Sequence, residues 1–169
     1  MGASLDDDNG ENSGSAYIFV RDGDDWTQQA KLTADDADRE DFFGGYVYIS
    51  GNSAIVGATS NDDDGERSGS AYIFKNEGGT WTLKQRIEPT DYEAWAEFGN
   101  SVSISGDYAL IGAHMDDNGG STGNEGSAYI FKRSGETWTQ LQKLIATAPD
   151  PPLPGGGGGP EGNGRFGFS

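Results

Sequence analysis

Apolar and polar positions alternate along this chain in short runs that recur at a fixed spacing. The pattern is clearest from Phe98 to Leu144. Ser101-Val102-Ser103-Ile104-Ser105 alternates small polar and branched apolar residues, the period-2 signature of a half-buried strand. Gly106-Asp107 supplies turn chemistry before the short apolar run Tyr108-Ala109-Leu110-Ile111, so the two segments predict a tight hairpin. A polar loop leads to Ser127-Ala128-Tyr129-Ile130-Phe131, apolar on both faces and therefore a strand that needs cover on both sides. Ser134-Gly135 then turns the chain into Thr137 to Leu144, a largely polar strand suited to an outer edge. Strict alternation places Trp138 and Leu144 on one face of it, as it does Trp26 with Leu32 and Trp81 with Ile87. The one helical candidate, Tyr92 to Glu97, is too short to stand alone. The fold class expected is all-β.

The same plan is written three times. Gly-Ser-Ala-Tyr-Ile-Phe begins at Gly14, Gly69 and Gly126, 55 and 57 residues apart, and each copy is followed 12 residues later by Trp-Thr, at Trp26, Trp81 and Trp138. Gly2-Ala3, Gly57-Ala58 and Gly112-Ala113 keep the same step. A lysine or arginine recurs in the outer strand at Lys31, Arg86 and Lys143. Four short antiparallel strands per period of this size is the content of one propeller blade. The predicted architecture is a partial β-propeller of about three four-stranded blades, the first and last incomplete. Its parts are a blade part over 2–42, blades over 43–97 and 98–148, a Pro/Gly-rich loop over 149–164, and the start of a further blade over 165–169. Closure is expected to need further blades or other chains, since propellers usually close with about 4–8 blades.

Composition narrows the function. The formal net charge is −17 with a pI near 4.1, the wrong sign for a nucleic-acid footprint. No apolar run approaches the length of a membrane span, so membrane insertion is not expected. Met1 is followed by neither a basic start nor an apolar stretch of signal-peptide type. Cysteine is absent and His114 is the only histidine, which leaves no thiolate site, zinc set or triad. No catalytic residue is predicted.

The chemistry that remains is carboxylate and aromatic. Three aspartate clusters fall between the second and third strands of each copy: Asp6-Asp7-Asp8, Asp62-Asp63-Asp64 and Asp116-Asp117, each near a glycine. Adjacent carboxylates in a flexible loop can offer several oxygens to Ca²⁺, although the EF-hand spacing is absent. The alternative is a solvated loop whose Asx side chains cap turns. A second acidic set, Asp35, Asp36, Asp38 and Asp41, has counterparts at Asp91, Glu93 and Glu97. A paired-carboxylate hydrolase or lyase would use one asymmetric pair, and acids that recur with the period fit a scaffold better. Tyr92 and Trp95 break the period, having no aromatic counterparts in the first copy, and are the candidates for stacking on a sugar or anchoring a partner.

Phe43-Gly44, Phe98-Gly99 and Phe166-Gly167, alternating with Gly2-Ala3, Gly57-Ala58 and Gly112-Ala113 around an aspartate-rich loop, resemble the FG-GAP repeat of bacterial type, which is related to the β-propeller of integrin α chains. The resemblance covers nearly the whole chain. It implies a seven-bladed propeller when complete, an extracellular or surface location, and the binding of proteins or glycans without catalysis. The alternative, read from the residues themselves, is a calcium-stabilised lectin-like module that uses the aspartate loops with Trp95 or Tyr92. In integrin-like blades the calcium loop lies between the first two strands, where this chain has only Ser50-Gly51-Asn52 and Ser105-Gly106-Asp107, too short to wrap an ion. That calcium assignment does not transfer.

Overall fold

The computed structural model describes residues 1–118 and 125–146. Gly119 and the segments expected as a Pro/Gly loop and as the start of a further blade lie outside the described residues.

Every strand owes its start and stop to the repeat. Gly2–Ala3 (β1), Ser15–Asp22 (β2) and Asp25–Leu32 (β3) form a three-stranded sheet in the order β1-β2-β3. Phe43–Ser50 (β4), Ser53–Ala58 (β5), Ser70–Glu77 (β6) and Thr80–Ile87 (β7) form the second sheet in chain order. Phe98–Ser105 (β8), Tyr108–Ala113 (β9), Ser127–Ser134 (β10) and Thr137–Ile145 (β11) form the third, again in chain order. All pairings within the sheets are antiparallel, and no strand of one sheet is laced into another. The hairpin turns sit on Gly51 and Gly106, each at φ +57°, a left-handed conformation that glycine adopts without steric cost.

The predicted first strand begins earlier than alternation suggested. Phe98 pairs with Ala113 and Ser101 with Gly112, so a bulge lets the Phe-Gly pair lie inside β8. Residues 92–97 are irregular with a turn at Ala94 and Trp95, Trp95 and Glu97 are both left-handed, and no helix occurs among the described residues.

A second bulge corrects the expected faces of the outer strand. Ile73 faces Gln85 while Phe74 faces Leu83, which leaves Lys84 as an extra residue. The side-chain period shifts there, so Trp81 and Ile87 lie on opposite faces. Trp81 packs with Tyr72 and Phe74 against the first sheet, whereas Ile87 packs with Ile55, Ala71 and Ile73 against the third. The same shift occurs at Gln29 and Leu141, separating Trp26 from Leu32 and Trp138 from Leu144.

Two apolar layers therefore hold three sheets face to face. Phe43 and Phe98, both fully buried, open the first strands and meet Tyr72 and Tyr129 edge-on at 5.3 and 5.4 Å. Successive sheets are also clasped by the parallel bridges Gly14 to Phe43 and Gly69 to Phe98. A side chain at Gly99 (φ +94°) would place Cβ 2.4 Å from the Ser70 carbonyl oxygen, so only glycine allows the backbones to approach this closely.

Candidate functional site

The aspartate loops join β1 to β2, β5 to β6 and β9 to β10, as the sequence places them. The loops that pass from one sheet to the next, 33–42 and 88–97, meet them there: Asp41 O accepts from Ser60 N–H, and Ala96 O from Met115 N–H. One rim of the stack is thus built from both acidic sets.

On that rim each Asp loop is folded around a side-chain cation. Asp6 Oδ2 accepts from Ser15 Oγ at 2.8 Å, from the Tyr17 hydroxyl at 2.8 Å and from Lys31 Nζ at 3.0 Å. These donors, Ser15 and Lys31 foremost, hold the Asp6 carboxyl at about 2, well below its ordinary value. Lys31 also pairs with Asp8, and Asp7 caps its own loop by accepting the Asn12 N–H at 2.8 Å.

In the third sheet the arrangement is buried. The Tyr129 hydroxyl donates to Asp116 Oδ2 at 2.6 Å, and Lys143 Nζ lies 2.9 Å from the same oxygen and 3.0 Å from Asp91. Burial works to raise the Asp116 carboxyl, but the Tyr129, Asn118 and Lys143 donors outweigh it and the net shift is downward. Burial pushes the Tyr129 and Tyr72 hydroxyls far up, so both remain donors.

The middle copy reaches the same end by exchange. Asn61 stands where the other copies have Asp6 and Asp116, and Arg86 replaces lysine. The guanidinium reaches Asn61 Oδ1 at 2.9 Å, Asp64 at 2.6 Å, Asp63 at 3.1 Å and Asp36 at 3.5 Å. Tyr72 donates instead to Asp36 Oδ1 at 2.8 Å. Five donors in a planar fork suit several carboxylates better than an ammonium does. Asp62 is exposed at the loop tip.

Reading the loops for Ca²⁺ attends to their carboxylates and misses the cation already among them. The recurrence of Lys31, Arg86 and Lys143 at the pitch of the aspartates is the signal that marks it. A divalent ion entering these loops would have to displace an ammonium or a guanidinium. One carboxylate group shares its Asp116 with the Lys143 site. Glu93, Asp116 and Asp117 bring one oxygen each within 4.8 Å of one another. Hydrogen bonding to Asp117 raises the Glu93 carboxyl to about 7, with burial and the charges of Asp116 and Asp117 adding to the shift. Asp41, whose carboxylate accepts the Asp38 N–H at 2.8 Å, is raised by burial to about 6.

Tyr92 and Trp95 remain at the surface, 51% and 48% exposed. Trp95 is pinned through its backbone, at φ +69° with its N–H on Glu66 O at 2.7 Å. Arg67 lies over its ring at 5.5 Å and is held there by Glu97 at 2.9 Å. The sequence marked the aromatic and gave no sign of the arginine beside it.

The FG-GAP repeat profile matches residues 26–74 and 81–131, more than half of the 169 residues. The chain belongs to the FG-GAP repeat family. Its three sheets are accordingly β-propeller blades, as the resemblance implied. Each matched FG-GAP segment starts in the outer strand of one blade and ends in the third strand of the next. The unit of sequence therefore spans the junction between two blades, including both loops that meet at the rim. No curated protein matches the chain significantly.

Proposed function

We propose that this propeller-type module acts as a non-enzymatic binding or structural unit outside the cell, engaging a protein or glycan through its loop rim. The observation that carries the reading is the Trp95–Arg67 pair. The rim loops spend their carboxylates on internal cations, while this aromatic–guanidinium platform stays half exposed on a backbone held by a hydrogen bond. Exposed tryptophan beside arginine is the residue chemistry of binding hot spots, and an aromatic face also stacks on sugar rings. The extracellular setting rests on where FG-GAP repeats are often found. Glycan and protein arrays probed with the chain and with Trp95→Ala test the reading. Ligands lost with Trp95→Ala support it, and an unchanged set overturns it.

A second reading, a calcium-stabilised lectin-like rim, is favoured by the Glu93, Asp116 and Asp117 group. Three carboxylates fall short of the six to eight oxygens Ca²⁺ takes, so loop carbonyls or the ligand would supply the others. Isothermal titration with Ca²⁺ at several millimolar tests it: heat lost in Asp117→Asn supports the reading, and no heat removes it.

A further inference from the structure

The two blade junctions share one backbone and differ in their charges. At the first, Glu40 N–H donates to Glu11 O at 2.8 Å and Phe42 N–H to Asn12 O at 3.1 Å. At the second, Trp95 N–H donates to Glu66 O at 2.7 Å and Glu97 N–H to Arg67 O at 3.2 Å. The same three positions turn left-handed in both. Asn12, Glu40 and Phe42 have φ +56°, +64° and +55°, and Arg67, Trp95 and Glu97 have +51°, +69° and +52°. Side chains at matching positions therefore leave the backbone in matching directions. At the first junction Arg39 Nη2 lies 3.0 Å from Glu11 Oε2 and 2.9 Å from Glu40 Oε1, so the two acids share an internal cation. The second junction keeps the acid and loses that cation. Glu66 matches Glu11, but Ala94 stands at the place of Arg39 and Trp95 at that of Glu40. Glu66 is exposed and makes no ion pair among the described residues.

We propose that Glu66 and the Trp95 ring form a socket for an arginine side chain of a protein partner, seated where Arg39 sits at the other junction. The aromatic face takes the part that the Glu40 carboxylate plays there, since its negative quadrupole attracts a cation. A guanidinium can stack on an indole and pair a carboxylate with its planar fork, which suits arginine better than lysine. Trp95 stays 48% exposed with Arg67 over its ring, and Glu97 neutralises Arg67, so an incoming cation meets no bare positive charge. The net charge of −17 steers a basic segment toward the chain and repels an acidic glycan. The inference rests on the loop-rim reading above and narrows its ligand to a basic protein segment.

A short fluorescein-labelled peptide alternating glycine and arginine tests it on the intact chain by fluorescence anisotropy, beside a citrulline counterpart of the same shape without the charge. Saturable binding of the arginine peptide is expected, about tenfold tighter than the citrulline one and weaker as salt rises. Trp95→Ala should weaken it about tenfold and Glu66→Gln about threefold. Ala94→Arg supplies the missing cation from within and should abolish saturable binding. Gln28→Arg adds the same charge on β3 and should leave the affinity unchanged. Ala94, Glu66 and Gln28 are exposed, so their variants keep the fold, which circular dichroism verifies. Equal binding of the two peptides, or equal weakening by Ala94→Arg and Gln28→Arg, overturns the proposal. Array ligands that are lost in Trp95→Ala but persist in Ala94→Arg, or that are all glycans, also overturn it while leaving the loop-rim reading standing.

Discussion

The Tyr129 hydroxyl donates to Asp116 Oδ2 across 2.6 Å, and Lys143 closes on the same oxygen from the outer strand. This triad ties the third-strand word of the repeat, the acidic loop and the outer strand of one blade to a single buried carboxylate. Lys143 extends it by reaching Asp91 on the loop that arrives from the preceding blade. A carboxylate this enclosed is tolerable only while its donors remain.

Lys143→Met is therefore expected to cost about 3 kcal/mol, the range found when one partner of a buried pair is removed. Asp116→Asn combined with Lys143→Met should cost less than the single change, because no charge is left stranded. The matching Lys31→Met, at a more open pair, should cost no more than about 1 kcal/mol. Urea denaturation of the four proteins checks the order.

Acidity should stabilise the chain before it destabilises it. Asp41 and Glu93 are raised to about 6 and about 7, so the folded state holds protons there that the unfolded state has released. Stability then falls as pH rises from the ordinary carboxylate range through about 7. Asp6 is lowered to about 2, so its contribution is present above its ordinary value of 3.8 and is lost as pH falls toward 2. Thermal unfolding should peak between about pH 4 and 6, and Asp41→Asn should flatten the alkaline side. Stability rising steadily from that window to pH 8 would contradict these assignments.

Gly99 and Gly51 both sit at positive φ, but for different reasons. A Cβ at Gly51 meets nothing within 4 Å, whereas at Gly99 it meets the Ser70 backbone. Gly51→Ala should cost about 1 kcal/mol, the left-handed penalty alone. Gly99→Ala should cost at least twice that, since backbone in the blade junction must move. Denaturant midpoints distinguish the two.

Much of this organisation is legible in the sequence, because the markers serve structural needs that repeat. Phe98 must fill a blade junction and Gly99 must admit the neighbouring backbone, so Phe-Gly recurs wherever sheets meet. The faces of Trp81 and Ile87 were not legible. Alternation is counted residue by residue, and the bulge at Lys84 adds one residue without any mark in the sequence. The role of Lys143 was hidden for another reason. Its recurrence was visible, but only the fold brings residue 143 back to residue 116. Arg67 beside Trp95 is likewise a contact made through a turn that no periodicity describes.

One repeat position is core or surface according to whether a blade lies against it. Trp26, Trp81 and Trp138 share such a position, and Trp138 is 4% exposed while Trp26 is 64% exposed. The direct measurement is acrylamide quenching of variants that each keep one tryptophan, the others replaced by phenylalanine. Stacked blades predict Trp138 as the most blue-shifted and least quenched, Trp26 as the most quenched, and Trp81 between them. Equal quenching at all three, or Trp26 as the shielded one, would contradict the stacking.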